Sequence, residues 1–308
     1  MDLLGVALGL CHHRIDGLLF EDRPAGAFDQ HSGFSHVRLL DLTIRTNPCR
    51  IPGRFLVRFY LAGRVQVEGP AGVVSEGDLA GRQGRLMLAR LVLARGPVSH
   101  EQLADLFWGE ERPQSWRGTL SPLASRLRTA FDSVGLAGRS MVIARHGAYE
   151  LVLPQRWVDI EEAIRSLDRA EGEVARGAAL DAWPDAAVAS AILRRPFLEG
   201  EDHTWVVDWR STLTDSLVRS LACLAEAWLT SERWPLAEAV ADEAIRIDPF
   251  REVAHRHRIR ALAGAGNGAR ALQAYRELEV LLAEALGASP SPETEELYEQ
   301  LLGISSRE

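Results

Sequence analysis

Residues 98–113 read VSHEQLADLFWGEERP, residues 114–135 read QSWRGTLSPLASRLRTAFDSVG, and residues 140–154 read SMVIARHGAYELVLP. The first segment is a short helix: Ser99 sits at the N-cap with Gln102 three residues on, the spacing of a capping box, and Leu103, Leu106 and Phe107 recur on one face. Gly109 and Pro113 punctuate the loop that follows. In the second segment Trp116, Leu120, Leu123, Ala124, Leu127 and Phe131 form an apolar stripe at spacings of three and four. Arg117, Ser121, Ser125 and Arg128 occupy the other face. Pro122 interrupts this pattern, since it lacks an amide donor and crowds the preceding turn. It predicts a helix that starts near Ser121 or breaks there. The third segment is a hairpin, with Val142 and Ile143 in one strand, a compact turn at Arg145-His146-Gly147-Ala148, and Tyr149, Leu151 and Val152 in the other.

Two helices followed by a hairpin predict a winged helix-turn-helix, which places its second helix in the DNA major groove. Short polar groups and guanidiniums suit base edges and phosphates. The candidate DNA contacts are therefore Arg117, Ser121, Ser125 and Arg128 on the helix, with Arg145 and His146 at the hairpin tip.

Charge supports this division. The 308-residue chain contains no lysine, so all 35 basic residues are arginine, and its formal net charge is −8. Residues 1–53 hold 5 arginines against 6 acidic residues, residues 54–156 hold 14 against 9, and residues 157–308 hold 16 against 28. A basic middle beside an acidic remainder fits a DNA-binding module joined to a protein-binding one. Three domains are expected: an N-terminal extension over 1–53, readable as disordered, a winged helix over 54–156, and a helical domain over 157–304. Short β-rich runs from Phe55 to Val74 predict a small antiparallel sheet, and Arg82 to Ala94 an apolar helix.

Beyond Trp157 the strand signal fades. Val158–Ala178, Asp185–Leu193 and Trp205–Leu229 read as helices. A tetratricopeptide pattern then emerges, with a period of about 34 residues. Leu221, Leu224, Ala225, Trp228, Ala237 and Ala244 lie at its positions, closed by Pro249. Ala241 stands where an aromatic is usual. One period on, Leu262, Ala271 and Tyr275 replace Trp228, Ala237 and Ala241. Small residues at Ala237 and Ala271 let paired helices approach closely, and stacked pairs form a groove that binds protein. The arginine-rich run around His255 and His257 reads as a solvated helix face.

Other classes lack support. No G-x-S-x-G, H-E-x-x-H or supported Cys–His pairing is present, and without lysine there is no P-loop, so no enzyme, catalytic residue or cofactor is expected. Cys11, Cys49 and Cys223 are widely separated and suit a reducing cytoplasm. His12-His13 beside Cys11 lacks a second ligand cluster, so no metal is expected. No apolar run is long enough to span a bilayer, and the first residues lack a basic n-region and a cleavage site.

These residues together resemble the antibiotic-regulatory-protein (SARP) family of actinobacterial transcriptional activators. The carrying segments are LADLFWGEERP (103–113), LSPLASRLRTAF (120–131) and GAYELVLP (147–154), then WVVDWRSTL (205–213), DPFREVAHR (248–256), ALQAY (271–275) and LGASPSPET (286–294). The resemblance covers roughly residues 55–302. It implies an α+β winged helix of the OmpR/PhoB type joined to an all-α, tetratricopeptide-like bacterial transcriptional activation domain (BTAD). It further implies binding to double-stranded promoter DNA, often by two protomers on repeats. The loop Trp108, Gly109, Glu110, Glu111 and Arg112 would touch RNA polymerase. The competing reading is a protein-interaction scaffold whose winged helix no longer binds DNA.

Overall fold

The computed structural model describes residues 57–94, 96–153 and 155–305. The N-terminal extension, with Cys11, His12, His13 and Cys49, lies outside them. All the described residues belong to one compact unit.

The β-rich runs pair as read. β1 (Val57–Tyr60), β2 (Gln66–Gly69) and β3 (Gly72–Val74) form an antiparallel meander. Val57 and Phe59 of β1 point into the core, while Arg58 and Tyr60 on the other face meet the Glu68 carboxylate at 3.1 and 2.9 Å. A fourth strand, β7 (Arg156–Val158), joins the far edge of this sheet parallel to β1, with Val57 opposite Arg156 and Phe59 opposite Val158.

Between β3 and β7 lies the helix pair with its hairpin. After a 3-10 turn, α1 (Gly81–Leu93) buries Leu86, Met87, Leu88, Leu91 and Val92. β4 (Val98–Ser99) leads into α2 (His100–Trp108), where the capping box is realised: Gln102 N donates to Ser99 Oγ at 3.1 Å and Ser99 N to Gln102 Oε1 at 2.9 Å. α3 spans Trp116–Ser133, and a single turn, α4 (Gly138–Met141), feeds β5 (Val142–Arg145) and β6 (Ala148–Leu151). β4 adds to β6 to make a three-stranded antiparallel sheet in the order β4-β6-β5.

Pro122 does not delay or break α3. The helix begins at Trp116 and continues through it. An interior proline costs about 3 kcal/mol. Leu120, Leu123, Leu127 and Phe131 are buried on both sides of Pro122, and four such side chains contribute roughly 6–12 kcal/mol. Packing therefore outweighs the local penalty. The same holds for Pro184, which lies inside a helix that starts six residues before the expected Asp185.

The remaining elements are helices: α5 (Asp159–Ala175), α6 (Ala179–Leu193), α7 (Thr204–Thr230), α8 (Trp234–Ile247), α9 (Glu252–Gly264), α10 (Gly268–Leu286) and α11 (Pro292–Ser305). Each packs on its neighbour in sequence. Ala237 and Ala271 are fully buried at the helix crossings, as their small size suggests. The start of α11 is tied to the start of α9: Glu252 accepts from Ser291 N, Ser291 Oγ and Thr294 Oγ1 at 2.9, 2.8 and 2.7 Å.

One expectation needs amending. The arginine-rich stretch of α9 is not a solvated face, because His255 and His257 are both buried. Two residues apart, they point to different neighbours: His255 Nε2 lies 2.8 Å from the Pro249 carbonyl and His257 Nε2 2.9 Å from Glu226 Oε1. The expected boundary at 156–157 falls within β7, and one hydrophobic core runs from Val57 to Ala254 across it. Asp159, buried at the start of α5, accepts backbone N–H groups from Leu61, Ala62 and Ile160 at 2.8–3.0 Å. Burial pushes its carboxyl up to about 6 against the pull of those amides.

Candidate nucleic-acid interface

The exposed face of α3 follows from its buried stripe. With Leu120, Leu123, Ala124, Leu127 and Phe131 turned inward, Arg117, Ser121, Pro122, Ser125, Arg126 and Thr129 are exposed. Ser121 and Ser125 share one face, one turn apart. No acidic residue lies in the first turn and the N-cap Ser115 makes no side-chain cap; Trp116 N and Gly118 N donate instead to the Pro113 and Ser115 carbonyls at 3.0 and 2.9 Å, so no carboxylate offsets the positive helix end.

Arg117 and Arg112 lie over the Trp116 ring, 4.8 and 5.9 Å from its centroid. Arg117 also reaches Glu101 of α2 at 3.2 Å, in a pair exposed on both sides. Such a pair is worth little in water, so Arg117 remains available to another anion.

Arg128 stands differently. It is half-buried, and its Nε and Nη2 donate to the Val142 carbonyl at 2.9 and 2.8 Å. This candidate contact spends its guanidinium on joining α3 to β5. Arg126, which sequence reasoning passed over, is exposed and makes no ion pair among the described residues. The available signal was its distance from the stripe: it flanks Pro122 and Thr129 on the helix surface.

The hairpin tip is a two-residue turn. His146 (φ 49°) and Gly147 (φ 72°) both adopt left-handed backbone, the signature of a type I′ connection, and Arg145 pairs with Ala148 across its mouth. Arg145 and His146 are exposed. Gly147 O accepts from His100 N at 2.9 Å, and the His100 ring lies 5.0 Å from Tyr149, so the tip is anchored to the start of α2. Gly138 lets α4 approach α3: a Cβ there would lie 2.2 Å from the Arg128 carbonyl oxygen. The bond from Arg128 to Val142 depends on that approach.

The loop after α2 divides. Trp108 packs partly on the core against Phe107, while Glu110, Glu111 and Arg112 are exposed, and Arg112 pairs with Asp105. Gly109 closes α2 with a positive φ of 57°. Among the described residues no cluster of three or more His, Cys, Asp or Glu side chains could hold a metal, and no helix is long and apolar enough to cross a membrane.

Comparison with known proteins supplies the rest. Residues 158–302 match the family described as the bacterial transcriptional activator domain. The regulatory protein AfsR of Streptomyces griseus is 30% identical over 254 residues, covering 80% of this chain and 24% of that protein. These matches support a likeness to SARP-type transcriptional regulators, with the bacterial transcriptional activator domain lying over residues 158–302.

A second SARP-family relative, the transcriptional regulatory protein EmbR of Mycobacterium tuberculosis, is 26% identical over 220 residues, covering 71% of this chain and 57% of that protein. The solved structure of M. tuberculosis EmbR in complex with a low-affinity phosphopeptide superposes with a TM-score of 0.73 at 25% identity, covering 81% of this chain and 65% of that one. It agrees with a mixed-sheet N-terminal region followed by helices. The chain spans about a quarter of AfsR and just over half of EmbR. Both relatives are named as regulators, neither as an enzyme.

Proposed function

We propose that this chain is a sequence-specific DNA-binding regulator that activates transcription. The observation that carries the reading is α3: a helix with an apolar back, no acidic residue in its first turn and an exposed face of serines and arginines, flanked by a hairpin with a basic tip. Read as a winged helix-turn-helix, it lays α3 in the major groove. Ser121 and Ser125 then face base edges, with Arg126 beside them. Arg117, Arg145 and His146 reach phosphates, where Arg117 exchanges Glu101 for the DNA backbone. Arg128 holds the hairpin at its angle and acts on DNA through it.

The domains follow as a DNA-binding part over 54–156 and a tetratricopeptide-like part over 157–304, both built on one core. The loop Trp108–Arg112 offers its exposed Glu110, Glu111 and Arg112 to RNA polymerase. Two protomers on promoter repeats, a cytoplasmic location, and no enzyme activity, cofactor or metal complete the reading.

The test is binding of the purified chain to fragmented DNA of its own genome, followed by sequencing of what is retained. Enrichment of one repeated motif upstream of a few genes supports the reading. No retention even at low salt favours the scaffold alternative, since a DNA-binding face always shows a salt-dependent affinity for duplex.

A further inference from the structure

Residues 194–203, between α6 and α7, are held on three sides. At the end of β1, Gly63 N donates to the Pro196 carbonyl at 2.8 Å, and Ala62 bridges Phe197. Beneath, Arg210 of α7 donates to the carbonyls of Phe197 at 2.8 Å, Glu201 at 2.5 Å and Leu198. Toward α1, the Glu201 carboxylate receives Arg82 Nε at 2.9 Å, Arg82 Nη2 at 2.7 Å and Arg85 Nη2 at 2.6 Å. The Glu201 side chain is 1% exposed.

The attachments differ in kind. Phe197 and Leu198 are buried, and Phe197 packs on Trp205 and Trp209 with ring centroids 5.9 and 6.1 Å away. The hold on α1 is made by arginine arms. Arg82 is half exposed, and Arg85 Nε is buried without an acceptor, so this cluster is charged, desolvated and incompletely satisfied. Leu198 also keeps a left-handed backbone, with φ 46°, which a β-carbon disfavours. Beside the loop is an open groove of about 910 Å³, walled by Leu106 and Arg112 on one side and by His203 and Trp205 on the other.

We propose that this loop is a releasable strap with Glu201 as its catch: closed, it fixes α1, and with it the α2–α3 pair, against the α5–α7 layer; open, it frees the first turn of α1 and widens the groove. The inference stands on these contacts and not on the DNA reading. A carboxylate buried among guanidiniums holds firmly while every partner is present and fails sharply when one is removed. The shared apolar core keeps the two sides together when the strap lifts, so opening is local.

Hydrogen exchange measured by mass spectrometry on the full chain tests it. In Glu201→Gln, amides of 196–204 and of the first turn of α1 should exchange at least tenfold faster, while α8–α10 stay at wild-type rates. Unchanged rates at the strap, or an equal acceleration everywhere, would overturn the proposal. If Glu201→Gln does not fold, Arg82→Ala removes one arm from a half-exposed position and leaves Arg85 in place. The same two segments should then accelerate by a smaller factor, and their failure to do so refutes the catch.

Discussion

Arg128 and Val142 are joined by two hydrogen bonds from one guanidinium to one carbonyl, at 2.9 and 2.8 Å. The bond makes the hairpin an extension of α3. Arg128→Ala leaves the carbonyl without this donor and should lower stability by about 1–3 kcal/mol. Arg126→Ala should leave the melting temperature unchanged and reduce the slope of log affinity against log salt by about 1. Thermal melts beside a salt titration of duplex binding separate the two. An Arg126 variant with the wild-type slope is not a phosphate contact.

Pro122 offers a gain. α3 passes through it, and its side is exposed, so Pro122→Ala restores an amide donor to the Gly118 carbonyl without disturbing the core. Stability should rise by up to about 3 kcal/mol, read as a higher urea midpoint at the same m-value. A lower midpoint would show that the proline ring is part of the native packing.

Gly138→Ala should do the reverse. The added Cβ meets a backbone oxygen that cannot step aside. A loss of about 1–3 kcal/mol is expected, together with weaker duplex binding as the hairpin shifts. Wild-type stability in this variant would mean that α4 and α3 separate easily.

Acid sensitivity should trace in part to Glu226. His257 Nε2 donates to it at 2.9 Å and Arg260 Nη1 at 2.7 Å, and together they hold its carboxyl down to about 2. The unfolded value is about 4.3. A carboxyl depressed on folding contributes stability that is present above about 4.3 and lost as pH falls through about 2. With the site part-exposed, the contribution is about 1–2 kcal/mol. Glu226→Gln should flatten the fall in urea midpoint between pH 4.5 and 2. Parallel curves for the two proteins would assign the acid limb to other groups.

Most helices and the hairpin were legible because their signals are local. Ser99 and Gln102 are three residues apart, His146-Gly147 is a turn pair, and the α3 stripe repeats within one segment. What escaped was set at a distance. β7 is three residues long and exists because β1, about a hundred residues earlier, offers a free edge. Asp159 is explained by Leu61 and Ala62. His255 and His257 looked solvated among arginines, yet both are buried, His257 against Glu226 of α7 and His255 against the Pro249 carbonyl. Arg128 looked like a ligand contact because nothing nearby in sequence reveals that Val142 needs a donor. Pro122 misled for the opposite reason, since a strong local rule yielded to tertiary burial.

The parallel pairing of β1 with β7 also bears on how such chains can be recombined. The strand that opens the first half and the strand that closes it lie side by side, and the residue just after β7 seals the amides just after β1. A hybrid spliced at residue 156 would put a foreign edge against β1 and a foreign acceptor beneath Leu61. The portable cassette is therefore the whole span from β1 through the first turn of α5, and grafts that respect it should keep both halves of the recipient intact.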